Sequence, residues 1–198
     1  MAVRLQIAGV HALSELAAPR ARESEWSLPA LAGRLCELGG AAALTLAFRL
    51  VLDAQALKEP VAWLMGTASS FYPPDAAESG VDLDALVVVR APDAARAARA
   101  ADQLARSGAF GLLVVDVGGA PIAQPLLARL LGLAQKHEAV VLFLTDAPLG
   151  SLISLRATSA RRRRDDGRFE CELRVAKDKR RAPGWTFVEV CRGPAGLR

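Results

Sequence analysis

The feature that most constrains this 198-residue chain is a rhythm of short, unbroken apolar runs, each followed by a helical stretch. Val61–Met65 (VAWLM), Leu86–Arg90 (LVVVR), Leu112–Asp116 (LLVVD) and Ala139–Thr145 (AVVLFLT) have strand length and are almost wholly apolar. Between them, 41–57 reads as a helix. So does the Ala-rich stretch from Pro92-Asp93 to Arg106, closed by Ser107-Gly108, and so does the segment from Pro121 to about Glu138. Strands that are apolar on both faces and alternate with helices imply a parallel sheet covered on both sides. Arg34–Leu38 (RLCEL) adds a strand that ends at Gly39-Gly40, and Tyr72-Pro-Pro-Asp75 reads as a turn.

Past Pro148 the pattern changes. Phe169, Cys171, Leu173 and Val175 alternate with Glu170, Glu172, Arg174 and Ala176, the period of a half-exposed strand. Trp185–Cys191 is expected to pair with it antiparallel, joined across 177–184. The fold class expected is therefore α/β: a mostly parallel sheet flanked by helices, with antiparallel strands at the C-terminal edge. Residues 9–18 and 26–33 read as short helical pieces. Residues 1–32 are thus expected as an N-terminal helical arm or cap, and 33–198 as the core domain. Leu5, Ile7, Val10, Leu13 and Leu16 fall near helical spacing and suit packing on a partner or on the domain itself.

Composition excludes several classes. With 52% apolar residues the chain is not a disordered one. Three cysteines (Cys36, Cys171, Cys191) without a CxxC pair do not make a disulfide scaffold, and His11 and His137 lie too far apart for zinc spacing. Gln6, His11 and Glu15 interrupt any secretory apolar stretch. The longest apolar run, 40–52, is broken by Arg49 and falls short of a bilayer of about 30 Å. A cytoplasmic protein with no membrane contact and no metal is expected.

Charge is unevenly spread. Residues 156–198 hold thirteen Lys/Arg against six acids, a net +7, while the preceding 155 residues hold twelve against fifteen, a net −3. A basic end on a slightly acidic body points to a polyanion or an acidic protein as partner.

A strand running through glycines into a helix is the natural phosphate site of such a fold. Here Gly39-Gly40-Ala41-Ala42-Ala43-Leu44-Thr45 has no lysine and is shorter than GxxxxGK[ST]. The two glycines read as a tight strand–helix turn. Asp116 ends its strand where a magnesium-holding acid sits in P-loop ATPases, but a helix-capping or relic role suits it better without a lysine-bearing loop. No Ser/His/Asp or Cys/His set can be built, His137 suits a helix C-terminus, and Cys171 falls on the apolar face of its strand. No catalytic residue and no cofactor is expected.

Gly80-Val-Asp-Leu-Asp-Ala-Leu86, Pro92-Asp93, Ala101-Asp-Gln-Leu-Ala-Arg-Ser-Gly108 and Leu112-Leu-Val-Val-Asp116 follow one another at a spacing that closely resembles the RecA recombinase core. Gly33-Arg-Leu-Cys-Glu37 resembles the GRxxE strand leading into the RecA P-loop. Ala176-Lys-Asp-Lys179 with Ala182-Pro183 resembles the segment near the end of that core. The resemblance covers roughly 33–190 and makes Gly39-Gly40 a degenerate P-loop and Asp116 a Walker B-like acid. It also implies departures: Thr67 replaces a catalytic glutamate, Thr145-Asp146 replaces an Asn-Gln sensor, and Ala147–Ser151 is a cut-down DNA-gripping loop.

A RecA core without its ATPase is similar to ImuA-type accessory proteins of the error-prone translesion mutasome, and next to SulA-type division inhibitors that bind FtsZ. The ImuA resemblance implies a non-catalytic protein of SOS-induced translesion DNA synthesis. Its implied partners are RecA, the ImuB-type Y-family polymerase relative and an error-prone replicative-type polymerase. A SulA-like inhibitor is one alternative, and a residual RecA-type ATPase or DNA-binding protein another. The expected partner or DNA-binding residues are Arg161, Arg162, Arg163, Arg164, Lys177, Lys179, Arg180 and Arg181. Arg161–Arg164 precede Asp165-Asp166-Gly167, a hairpin turn. They read as a solvated, turn-flanking charge run or, functionally, as a phosphate-contacting patch or a docking surface for an acidic partner. Lys177 and Lys179 match RecA lysines that reach a neighbouring subunit's nucleotide. With few aromatics nearby, any DNA contact is expected to be non-specific and salt-dependent.

Overall fold

The computed structural model describes residues 25–66, 69 and 71–192. In chain order these form α1 (Leu28–Leu31), β1 (Arg34–Gly40), α2 (Ala43–Ala56), β2 (Val61–Met65), α3 (Pro73–Glu78) and β3 (Leu86–Arg90). There follow α4 (Ala94–Ser107), β4 (Leu112–Gly118), α5 (Gln124–His137), β5 (Val140–Thr145), β6 (Leu155–Arg163), β7 (Phe169–Asp178) and β8 (Thr186–Cys191). Each apolar run of the sequence is a strand. They pair in one eight-stranded sheet of order β3-β2-β4-β5-β1-β6-β7-β8. The first six are parallel and β7 and β8 are antiparallel, as the change of period near Phe169 requires. The fold is mixed α/β, with a mostly parallel sheet flanked by helices.

Two cores sandwich that sheet. On one face Leu46, Leu50 and Val51 of α2 pack with Trp63, Val114 and Leu142; on the other, Ala97, Ala101 and Ala105 of α4 and Leu127 and Leu130 of α5 pack with Leu64, Val115 and Phe143. The small alanine stripe lets α4 lie close on β2 and β4. Its ends are chemically set: the Asp93 side chain accepts from Arg96 N at 2.7 Å, and Gly108 closes the helix in the left-handed region at φ 67°. Beyond β1 the sheet is covered on one face only. Cys171, Leu173 and Val175 of β7 lie under α2, while Thr158, Arg162 and Arg174 of the opposite face are exposed.

Several local expectations are corrected. The Tyr72–Asp75 turn is instead the entry to α3, because Pro73 and Pro74 at its first positions are preset for helical φ. Pro121 does not start a helix; α5 begins at Gln124 with Pro125 in its first turn. Residues 155–163, given no strand of their own, form β6. The helical piece at 9–18 lies outside the described residues. Of the segment at 26–33, Trp26, Leu28 and Leu31 are buried in the core, with Trp26 Nε1 donating to Leu46 O at 3.0 Å and Leu28 N donating to Asp53 at 2.6 Å. No helix among the described residues is long and apolar enough to cross a membrane.

Candidate functional site: the crevice at the carboxyl ends of the strands

Parallel α/β sheets bind ligands where their strands end and the chain turns into helices. Here that edge holds a cleft of about 330 Å³ lined by Gly39, Gly40, Thr45, Asp116, Thr145, Asp146 and Arg161, among others. A second hollow of about 180 Å³, lined by Met65, Gly66, Ser69, Arg90 and Ala91, lies at the ends of β2 and β3.

The glycine pair does not form the turn expected of it. Gly39 and Gly40 are the last residues of β1, paired with Thr158 and Ser159 of β6, and the chain turns at Ala41-Ala42. Their lack of a side chain has a packing cause. A Cβ on Gly39 would lie 2.5 Å from Thr145 O, and one on Gly40 would lie 2.1 Å from Ser159 O, at a φ of +96° that strains any other residue. The turn amides are also engaged: Ala41 N donates to Ser159 O at 3.1 Å and Ala42 N donates to Ser159 Oγ at 3.2 Å. Ser159 Oγ in turn donates to Gly39 O at 2.8 Å. In a phosphate-binding loop such amides face the ligand. Here one serine on the neighbouring strand holds them.

Asp116 sits half-buried near the end of β4 and accepts from Ser69 Oγ at 2.5 Å. Thr145 is turned onto its own loop, donating to Ala147 O at 2.7 Å and accepting from Ala147 N at 3.1 Å. Thr67 lies outside the described residues. The cleft's cation is Arg161, which comes from β6 and not from the β1–α2 turn; its guanidinium rests 5.2 Å from the centroid of the Phe169 ring. The cleft thus combines two carboxylates, one guanidinium and two threonine hydroxyls. No nucleophile is paired with a base among them. No cluster of His, Cys, Asp or Glu suited to a metal occurs among the described residues.

The eight basic residues grouped by sequence are divided by the fold. β6 runs toward the cleft and β7 runs away from it, which leaves Arg161–Arg164 at the cleft end and Lys177–Arg181 at the other, roughly 30 Å away for a ten-residue strand. The 165–167 segment is the hairpin turn expected, with Gly167 N donating to Arg164 O and Gly167 at φ 78°. In the far group, Lys177 Nζ donates to Ser151 O at 3.2 Å, and burial together with Lys179 and Arg156 holds its ammonium below the usual lysine range. Lys179 is exposed. Arg180 N donates to Asp178 at 2.9 Å, and Arg181 pairs with Glu25 at 2.7 Å.

Two polar networks brace the strands, with Arg34 and Glu37 at their centres. Arg34 donates to Ser154 and Asp178, while Glu37 accepts from Leu149 N and Arg156. Their visible signal is a pair of charges inside an otherwise apolar strand. Cys171 is core, as its alternation indicates; burial pushes its thiol up, and burial and Glu189 raise Cys191 to about 12. His137 closes α5 with its ring against Gly108, where a Cβ would lie 2.6 Å from Nδ1. His11 lies outside the described residues.

No family model and no curated protein matches the sequence. Among solved structures the chain is similar to the crystal structure of the RadB recombinase, with a TM-score of 0.61 and 18% identity, over 80% of this chain and 87% of that one. The similarity establishes a RecA-like fold.

Proposed function

We propose that this chain is a non-catalytic RecA-like accessory protein of SOS-induced, error-prone translesion DNA synthesis. It works by protein–protein interaction in the cytoplasm, with RecA and an ImuB-type polymerase relative as partners and an error-prone replicative-type polymerase as a further one. One observation carries the reading: Ser159 holds the amides of Ala41 and Ala42, in a turn with no lysine, so the loop that would cradle phosphates is bonded to its own sheet. The carboxylates of Asp116 and Asp146 beside it disfavour a polyphosphate further. The sequence blocks that resemble RecA run in order from the connection before β3 through α4 to β4, which supports common descent of this layer with the recombinase core.

Two measurements test the proposal. Titration with labelled ATP and magnesium should give no binding in the micromolar range, and saturable magnesium-dependent binding would overturn the non-catalytic reading. Pull-downs against RecA, the ImuB-type protein and FtsZ should retain the first two. Retention of FtsZ alone would replace the reading with that of a division inhibitor.

A further inference from the structure

β6 outruns the strand beside it. Its pairing with β1 ends where Gly40 meets Ser159, whereas its pairing with β7 continues to Arg163 opposite Phe169. Among the described residues, Ala160–Arg163 therefore have a neighbour on one edge only. Alternation decides which main-chain groups are left open. Ser159 O turns away from β7 to accept from Ala41 N, and Arg164 N turns toward β7 to donate to Arg168 O. The period of two then aims the N–H and C=O of Arg161 and Arg163 at the open edge. The same period puts the side chains of Arg161 and Arg163 on the cleft side, with buried Ala157 and Ser159, and Arg162 on the opposite side.

The charges at this edge are not all balanced. Arg164 lies 3.5 Å from both Asp166 and Glu170, and Arg168 lies 2.7 Å from Asp166. Arg161 rests on Phe169. Arg162 and Arg163 are exposed and have no ion pair among the described residues. Open sheet edges are commonly protected by cations, which repel a second copy of the same edge. That protection does not act against a strand of opposite charge.

We propose that the open edge Ala160–Arg163 receives an extended acidic segment of a partner protein as an added strand. The inference rests on the reading of this chain as a protein-binding subunit and names the chemistry of one of its partners. Main-chain pairing supplies the attachment, and alternate side chains supply the selectivity. On one face of the added strand two residues meet Arg161 and Arg163, and the residue between them meets Arg162 on the other face. The segment recognised thus carries acids at three successive positions. The adjoining cleft of about 330 Å³ leaves room beside Arg161 for the incoming chain. A nucleic acid fits less well: Asp165, Asp166, Glu170 and Glu172 are interspersed with the arginines, and a phosphate backbone has no amide donors to offer the open carbonyls.

The test uses the full chain and a fluorescein-labelled peptide, Thr-Val-Thr-Glu-Glu-Glu-Thr-Val-Thr, read by fluorescence anisotropy. Its two comparison ligands are the same peptide N-methylated at alternate amides and a ten-nucleotide oligo-dT. The wild-type chain should bind the unmodified peptide at least tenfold tighter than either comparison ligand. Arg162→Ala/Arg163→Ala should weaken that binding about tenfold, and Arg161→Glu/Arg163→Glu should abolish it, with thermal melts matching wild type. All three residues are exposed; should the charge-reversal pair fail to fold, the alanine pair alone decides. No peptide binding, equal binding of the N-methylated peptide, or unchanged binding by the folded alanine pair would overturn the proposal. Binding of oligo-dT in preference to the peptide would make the edge a nucleic-acid surface. Neither RecA nor ATP enters this experiment, so its failure stands apart from failure of the translesion reading.

Discussion

Arg34 and Asp178 form an ion pair sealed from solvent, with Nη2 2.5 Å from Oδ1 and side-chain exposures of 3% and 0%. It ties the first residue of β1 to the last of β7, across β6. Arg34 also donates to Ser154 Oγ and O, and Asp178 also accepts from Trp185 Nε1 at 3.1 Å, so the charges are compensated by hydrogen bonds. Removing one partner leaves the other buried and alone. Asp178→Ala or Arg34→Ala should cost about 3–5 kcal/mol in urea denaturation. A double Arg34→Met/Asp178→Leu change should cost clearly less than either single one.

The same carboxylate makes stability depend on pH. Burial raises the Asp178 carboxyl, but the Arg180 amide, the Arg34 guanidinium and the Trp185 indole outweigh it and hold it below its ordinary 3.8. A depressed carboxylate contributes stability that is fully present above the unfolded value and lost as pH falls through the folded one. Urea midpoints should therefore hold above pH 5 and fall below about pH 4, and this acid-side fall should shrink in Asp178→Asn.

Gly39→Ala and Gly40→Ala test whether the glycine pair serves packing. Each added methyl meets a carbonyl oxygen of a neighbouring strand, Thr145 O at 2.5 Å or Ser159 O at 2.1 Å. Both should destabilise by about 2–4 kcal/mol, Gly40→Ala the more because of its positive φ. A wild-type unfolding midpoint would show that the β1–β5 contact, for Gly39→Ala, or the β1–β6 contact, for Gly40→Ala, is loose.

The three thiols should be unreactive in the folded chain. Burial raises Cys36 and Cys191 to about 12 and lifts Cys171 as well. Thiolate is the reactive form, so a chromogenic disulfide reagent at pH 8 should label none of them within minutes and all three in guanidinium. Rapid native-state labelling of Cys171 or Cys191 would contradict the packing of β8 on β7, and of Cys36 the packing of α2 on β1.

Glu37 should govern the loop that follows β5. It is 2% exposed, accepts from Leu149 N and pairs with Arg156. Glu37→Ala frees that amide, and limited proteolysis between 147 and 153 should become several-fold faster, while Glu37→Gln keeps an acceptor and should stay near wild type.

The parallel half of the sheet was legible because Val61–Met65 and Ala139–Thr145 are apolar on both faces, a pattern that leaves few alternatives. β6 was not legible. Arg156 and Arg161–Arg163 dominate it, and its strand character comes from hydrogen bonds to β1 and β7, partners more than a hundred residues apart in one case and across a turn in the other. Likewise, no local pattern shows that the carbonyls of Thr145 and Ser159 press on the glycine pair, so the sequence alone suggests a turn there. The missing lysine was visible directly. Its spatial counterpart, Arg161 arriving from another strand, needed the register of β6.

The strand order also dictates when the chain can fold. β1 leaves the ribosome first among the strands, yet its neighbours are β5, whose pairing begins at Val140, and β6, whose pairing begins at Leu155. Until those segments emerge, the apolar Leu35, Cys36 and Leu38 have no sheet to enter, whereas β6, β7 and β8 can close on one another through short turns. Synthesis therefore passes through a long interval in which the amino-terminal strand waits unpaired and prone to wrong association. The crevice beside Gly40 is assembled only when β1 meets β5 and β6.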